Sequence, residues 1–157
     1  MKPNEPLSVL LVEDNEVDVE ITERILARSG VSITLRVARD GKEALDLLLS
    51  GREGEPQPRE HLPALVLLDL RLPVIDGTDI LRRIKADPEL SAIPVAVLTG
   101  ATGEGPKLES MALGGNMYFV KPITSSDAVS LIPAVRKYWE VIRQLQAAPA
   151  KRRRLFG

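Results

Sequence analysis

Five residues of the types used in metal and phosphoryl chemistry stand directly after short apolar segments of the chain. They are three acids, a hydroxyl and an amine: Glu13, Asp14, Asp69, Thr99 and Lys121. Three carboxylates brought together would raise one another's pKa values unless a counter-charge lay among them. Mg²⁺ prefers oxygen ligands, keeps part of its water and often shares its site with phosphate. Because Mg²⁺ and one lysine would neutralise three carboxylates, these residue types indicate a magnesium site.

Asp69 has the chemistry of a nucleophile in this group. The oxygens of a phosphoryl group on its carboxylate would lie between the cation, the lysine and Thr99, an arrangement that stabilises charge in phosphoryl transfer. Any one acid alone has a plainer explanation, because Asp14 or Asn15 could cap a first helix with Asp18 in its first turn. The recurrence of such residues after four segments, in chain order, favours phosphoryl transfer.

Two kinds of segment alternate along the chain and would position these residues. Short runs rich in leucine and β-branched residues predict strands at residues 8–12, 32–37, 65–69, 94–98 and 116–120. Amphipathic runs predict helices at about residues 16–28, 42–49, 78–85, 104–113 and 126–146. This alternation predicts an α/β fold of the (βα)5 type with one doubly wound, five-stranded parallel sheet. The carboxyl ends of its strands would meet at the edge where ligands bind.

Composition limits the class of protein. The chain has 157 residues, of which 44% are apolar and 27% charged, as is usual for one globular domain. It has no cysteine and a single histidine, His61, which excludes disulfides, thiol nucleophiles and multi-histidine metal centres. Its first residues do not resemble a signal peptide, and no apolar run is long enough to span a membrane. We therefore expect a cytoplasmic protein without a membrane partner.

We predict one domain over residues 1–146, followed by a basic, disordered tail over residues 147–157. Residues 51–63 contain glycine, proline and charged residues without periodicity, which indicates a long surface loop. Four basic residues lie together at 151–154, and acidic residues outnumber basic ones in the rest of the chain. Such a body is a poor surface for nucleic acid, so no nucleic-acid partner is expected.

Four motifs resemble the receiver domain of two-component response regulators. They are VLLVEDN at 9–15, LLDLRLPVIDG at 67–77, IPVAVLTG at 93–100 and NMYFVKP at 116–122, within a resemblance that spans about residues 7–145. It implies a flavodoxin-like receiver fold. It also implies a signalling protein rather than a classical enzyme, one that accepts a phosphoryl group from a histidine kinase and catalyses only this transfer and its own dephosphorylation.

Site roles follow from the same resemblance. Asp69 corresponds to the phosphoacceptor, and Lys121 to the lysine that binds the phosphoryl group. Asp14, Asp69 and the backbone carbonyl of Arg71 would bind Mg²⁺ directly, and Glu13 would act through water.

The resemblance also implies a switch. Thr99 and Tyr118 would couple the phosphoryl group to the output surface, and Arg71 and Ala101 would tune the lifetime of the phosphoryl group. The Lys121–Pro122 peptide bond is expected to be cis, which X-Pro bonds tolerate.

A narrower resemblance concerns stand-alone receivers that are partners of phytochrome-type kinases. It depends on the residues at 13–18, 85–88 and 114–118, on the long loop before the third strand, and on Tyr138 and Trp139. It implies a bacteriophytochrome as the cognate histidine kinase.

The last predicted helix has two apolar stripes, one of which would pack on the sheet. The other contains Ala134, Tyr138, Val141 and Leu145. With Trp139 it predicts a homodimer through the surface of the fourth helix, fifth strand and fifth helix. The alternative is that Trp139 covers the edge of the core. Pro133 lies inside this helix and predicts a kink or break, because proline lacks the backbone donor.

Two other functions remain open at this point. A receiver-like interaction module would use the fold without phosphorylation. A metal-dependent phosphatase of the haloacid-dehalogenase type would usually have a second aspartate two residues after the nucleophile, where this chain has Arg71.

Overall fold

The computed structural model describes residues 5–49, 62–100 and 117–147. Five strands are present: β1 (Leu7–Val12), β2 (Ile33–Ala38), β3 (Leu65–Asp69), β4 (Val95–Thr99) and β5 (Met117–Val120). Four helices are described: α1 (Glu16–Arg28), α2 (Gly41–Leu49), α3 (Gly77–Ala86) and α4 (Ser125–Ala147). The helix called α4 corresponds to the fifth predicted helix, since residues 104–113 lie outside the described ranges.

The strands form one parallel sheet in the order β2-β1-β3-β4-β5. The chain therefore leaves β1 towards one edge and returns through β3 towards the other, which confirms the doubly wound α/β fold. In an open sheet of this kind, ligands bind at the carboxyl ends of the strands near this reversal of direction. Here the reversal lies between β1 and β3, which end at Val12 and Asp69.

Alternate residues of the central strands contribute to cores on the two faces of the sheet. Leu10 and Val12 of β1 pack with α2 and α3, whereas Val9 and Leu11 pack with α1 and α4. Every residue of β3 and β4 is buried, which explains why both strands are apolar almost throughout. This double burial gives the site strands a rigid support.

The predicted strand and helix boundaries agree with the structure to within one residue for all elements in the described ranges.

The prediction for Pro133, which was made from its local chemistry alone, differs from the structure. The structure shows one continuous helix from Ser125 to Ala147 that includes Pro133, so the predicted break is wrong. Ala128, Leu131, Ile132 and Val135 are buried around it, and their packing keeps the helix on the sheet despite the missing donor.

Tyr138 and Trp139 are half-buried and bonded within the chain. The Tyr138 hydroxyl donates a hydrogen bond to the Ala92 carbonyl, and the Trp139 indole N–H donates to the Ala64 carbonyl at 2.7 Å. Trp139 packs against both cores, and the two rings meet edge to face. Trp139 thus covers the edge of the core, which is the alternative to an exposed aromatic patch.

Several sequence predictions fall on residues outside the described ranges. These are the fourth helix, Ala101, the tail at 148–157 and most of the loop at 51–63. At the end of that loop, Leu62 is buried in the core under α2 and α3, and the Ala64 N–H donates to the Ser8 carbonyl at 2.7 Å. Among the described helices, none is long and apolar enough to cross a membrane.

Candidate phosphoryl-transfer and metal site

The turn from β1 into α1 presents the first acids. Asn15 caps α1 by accepting the Asp18 N–H at 3.1 Å, so Asn15 and not Asp14 is the N-cap. The Glu13 N–H donates to the Ala38 carbonyl of β2 at 3.0 Å, which extends the sheet by one residue and turns Glu13 inward. The Glu13 side chain is 1% exposed, whereas Asp14 faces solvent.

Asp69 is the last residue of β3, and its side chain is 5% exposed. Its Oδ1 accepts the Arg71 N–H at 3.0 Å, which holds the carboxylate at the turn after the strand. Gly77, the first residue of α3, donates its N–H to the Leu70 carbonyl at 3.0 Å and lies directly against the Asp69 backbone. Between them Val74 has a φ of 65° and a fully exposed side chain, a conformation that costs about 1 kcal/mol for a non-glycine residue.

Lys121 reaches the acids from the end of β5. Its N–H donates to the Thr99 carbonyl at 2.7 Å, and its bond to Pro122 is cis, as predicted. Its ammonium group, Nζ, donates to Asp69 Oδ2 at 3.0 Å and to Glu13 Oε1 at 3.1 Å. A third contact joins Nζ to Asp18 Oδ2 at 3.1 Å. Lys121 therefore binds three carboxylates: one in the turn after β1, one in α1 and one at the end of β3.

Glu13, Asp14 and Asp69 form a group that could hold a cation. One carboxylate oxygen from each lies within 4.8 Å of the others. The group offers only oxygen ligands, one of them solvent-exposed, and this donor chemistry fits a hard divalent cation that keeps several waters. Arg71 lies at the site through its backbone N–H, and the role of its carbonyl oxygen as a ligand remains a prediction.

The electrostatics of the site reflect the crowding of these acids. Burial, together with the hydrogen bond and negative charge of Asp69, raises the pKa of Glu13 to about 9, against the lowering effect of Lys121. Burial alone would lower the pKa of Lys121, but its contacts with Asp69, Asp18 and Glu13 raise it above its usual range. The ammonium therefore stays charged, while Glu13 holds a proton at neutral pH until a cation replaces it.

Thr99 and Tyr118 occupy β4 and β5 as the sequence predicted. Thr99 is buried at the carboxyl end of β4, one residue beyond the Leu98 that pairs with Asp69. Tyr118 pairs with Val97 and packs, half-buried, against the core under α2 and α3. Their placement on adjacent strands is compatible with a coupled switch, which remains a prediction.

Sequence reasoning missed two residues of the site. Asp18 was placed only in the first turn of α1, yet it binds Lys121. Gly77 was part of a motif without a role of its own, yet it packs on Asp69. A signal existed for Asp18, because α1 starts so soon after β1 that its first turn must lie beside the strand end. Nothing local marked Gly77, since the contact joins residues on two different elements.

The fold and this site define a class: doubly wound α/β domains with an acidic cation site and a lysine at the carboxyl edge of the sheet. A family model described as the response regulator receiver domain matches residues 9–133. The chain therefore belongs to the receiver domain family of two-component response regulators, which are signalling proteins.

Relatives of known name agree with this membership. The probable methanogenesis regulatory protein FilR2 of Methanothrix harundinacea is 36% identical over 139 residues, which cover 88% of this chain and 87% of FilR2. Response regulator Rcp1 of Synechocystis is 36% identical over 145 residues, which cover 92% of this chain and 97% of Rcp1.

Solved structures give the same result. The bacteriophytochrome response regulator AtBRR is 38% identical and superimposes with a TM-score of 0.67 over 82% of this chain and 94% of AtBRR. A Mn²⁺-bound form of Rcp1 is 35% identical, with a TM-score of 0.65 over 85% of this chain and 94% of Rcp1. Phytochrome response regulators are thus among the homologues of this chain.

Proposed function

We propose that this receiver domain accepts a phosphoryl group on Asp69 from a histidine kinase in the presence of Mg²⁺. The observation that carries the proposal is the position of the Lys121 ammonium, 3.0 Å from Asp69 Oδ2, beside the three acids that could hold a cation. A lysine that serves only as a surface charge would have no reason to lie among buried carboxylates, because leaving water is costly for it.

In the transfer, an Asp69 carboxylate oxygen attacks the phosphorus of the kinase phosphohistidine. A P–O bond forms, the P–N bond breaks, and the imidazole leaves with the electron pair and takes up a proton from water. The Arg71 N–H orients Asp69, and Lys121 offers donors to the phosphoryl oxygens. Mg²⁺, held by Asp14, Asp69 and the Arg71 carbonyl with Glu13 through water, would neutralise charge on the phosphoryl group. Attack by water on the acyl phosphate then returns Asp69 and inorganic phosphate.

The signal would leave the site through Thr99 and Tyr118. A hydrogen bond from the Thr99 hydroxyl to a phosphoryl oxygen would bias two pre-existing conformations of the neighbouring strands. Tyr118 lies in β5 and packs against the core, so its rotamer can report the change to the surface formed by β5 and α4.

The test is the intact mass of the protein after incubation with acetyl phosphate and Mg²⁺. We expect one added phosphoryl group on the wild type and none on Asp69→Asn or in the presence of a chelator. Asp69→Asn keeps the size of the side chain and removes the nucleophile, so it separates chemistry from folding. If acetyl phosphate does not modify the wild type and beryllofluoride does not bind to it, a phosphorylation-independent interaction module is the better explanation. Steady release of phosphate from small esters would instead indicate a phosphatase.

The cognate kinase is proposed to be a bacteriophytochrome. Support comes from the similarity to AtBRR, a bacteriophytochrome response regulator, together with the loop and motif resemblance of this chain. Phosphotransfer to this protein should be faster from a bacteriophytochrome kinase than from an unrelated histidine kinase. Equal rates would contradict the assignment.

A homodimer through β5 and the outer face of α4 is the last part of the proposal. Val141 and Leu145 are exposed on the turns that follow Tyr138, and Val120 is exposed at the end of β5. Because the polar atoms of Tyr138 and Trp139 bind their own chain, these aliphatic side chains would supply the contact. Light scattering should give the mass of a dimer, and Val141→Asp should lower it. A monomeric mass for the wild type, with and without beryllofluoride, would contradict the dimer.

A further inference from the structure

The ammonium of Lys121 has its hydrogen-bonding capacity fully used. Its three N–H donors face three different carboxylates, those of Glu13, Asp18 and Asp69, at distances between 3.0 and 3.1 Å. A phosphoryl oxygen on Asp69 can bind Lys121 only if one of these contacts is given up or shared. The geometry around Nζ therefore decides which carboxylate competes with the phosphoryl group for the N–H donors of Lys121.

Asp18 differs from the other two partners of the lysine. The group of acids that could hold a cation consists of Glu13, Asp14 and Asp69 and does not include Asp18. The backbone of Asp18 is held independently of the site, because its N–H donates to the Asn15 side chain at the start of α1. A bound cation would draw charge from Glu13 and Asp69 but not from Asp18, so Asp18 keeps its full attraction for Lys121.

Asp18 also changes the charge of the site. Four carboxylates and one ammonium leave an excess of negative charge that a divalent cation does not fully neutralise. This excess favours binding of a cation and opposes the addition of a phosphoryl anion. The Lys121 ammonium contacts both Asp18 and Asp69, so both effects act at short range.

We infer that Asp18 is a positioning residue that holds Lys121 back from the phosphoryl group and thereby favours the metal-bound, unphosphorylated site. The inference rests on the proposed function and adds to it a residue that sets the balance between metal and phosphoryl binding. Asp18 lies outside the group of acids that could hold the cation. It acts through its contacts with Lys121 and Glu13 and through its own charge.

The test compares Asp18→Asn with Glu20→Gln in two binding measurements. Glu20 is exposed on the same helix, so Glu20→Gln removes the same charge outside the site. Free Mn²⁺, counted by electron paramagnetic resonance, gives the affinity for the cation. Calorimetric titration with beryllofluoride at saturating Mg²⁺ gives the affinity for the phosphoryl analogue, without interference from a weakened cation site.

For Asp18→Asn we expect the Kd for Mn²⁺ to rise about threefold and the Kd for beryllofluoride to fall about threefold, sizes typical of a partly exposed charge. Glu20→Gln should change neither Kd. Asp18→Ala, which cannot bind Lys121 through an amide, should shift both Kd values in the same directions as Asp18→Asn. If Asp18 had a purely structural role, its substitution would raise both Kd values together. That result, or no change in either Kd, would overturn the inference. If the wild type binds neither ligand, the proposed function itself is wrong, and the wild-type titration alone reveals this.

Discussion

Gly77→Ala is expected to lower the free energy of unfolding by about 3 kcal/mol, a large effect for a single methyl group. A Cβ at Gly77 would lie 2.3 Å from the Asp69 carbonyl oxygen and 2.5 Å from the Leu70 Cα. Both atoms belong to the backbone at the end of the buried strand β3, so no side chain can rotate away to make room. The start of α3 must move away from the sheet, or the end of β3 must move.

The same substitution should also impair the site, because the atom that the methyl group meets belongs to Asp69, the proposed phosphoacceptor. Urea denaturation measures the stability, and the acetyl phosphate assay measures the modification of the folded fraction. Gly100→Ala is the matched control: Gly100 follows Thr99 at the same edge of the sheet, and no atom of the described residues lies within 4 Å of the position that its methyl group would take. Equal stability of Gly77→Ala and the wild type would show that the close approach of α3 to Asp69 is not required.

The metal-free protein should lose several kcal/mol of stability between about pH 5 and pH 9, with Glu13 as the main cause. The pKa of Glu13 rises from 4.5 to about 9 in the folded protein, chiefly through burial and also through the bonded Asp69. A raised pKa means that the folded state binds the proton more tightly than the unfolded state does. The stabilisation is therefore complete below the unfolded pKa and is lost as the pH rises through the folded one.

Two other groups titrate outside this window. Burial alone would raise the pKa of Asp18, but its hydrogen bonds with Glu13 and Lys121 hold it below its usual value, so its contribution is lost only at acid pH. Lys121 has a raised pKa, so its contribution is lost only at strongly alkaline pH. Among the described groups with a shifted pKa, Glu13 is therefore the one that produces a slope between these limits.

Chemical denaturation in a chelator over a series of pH values measures this slope. Glu13→Gln keeps the shape of the side chain and removes the titration, so its stability should vary much less with pH. Saturating Mg²⁺ should flatten the wild-type profile as well, because the cation replaces the proton as the partner of the carboxylates. A wild-type profile as flat as that of Glu13→Gln would contradict the raised pKa.

Local pattern and chain order were enough to predict most of this fold. The buried strands β1, β3 and β4 are apolar on both faces, and a strand with that composition has no other place than the centre of a parallel sheet. The chemistry-bearing residues could be placed together for the same reason, since parallel strands bring their carboxyl ends to one edge. Glu13, Asp14, Asp69 and Lys121 lie there as predicted.

What local pattern could not reveal depends on contacts between distant residues. Pro133 disfavours a helix by its own chemistry, but burial of its neighbours against the sheet outweighs this. Trp139 could have been an interface residue or a cover for the core, and only the position of the Ala64 carbonyl decides that its indole is bound inside the chain.

The sequence by itself determined the order of the elements and the residue types at the edge of the sheet, because periodicity and strand-end position are local properties. Its motifs indicated the class of protein through their resemblance to a known family. Only the tertiary structure decided that Asp18 shares Lys121 with Glu13 and Asp69, and that Gly77 supports the Asp69 backbone. These contacts join separate elements within a few ångströms. Their existence depends on how closely α1 and α3 approach the sheet, which no local sequence pattern specifies.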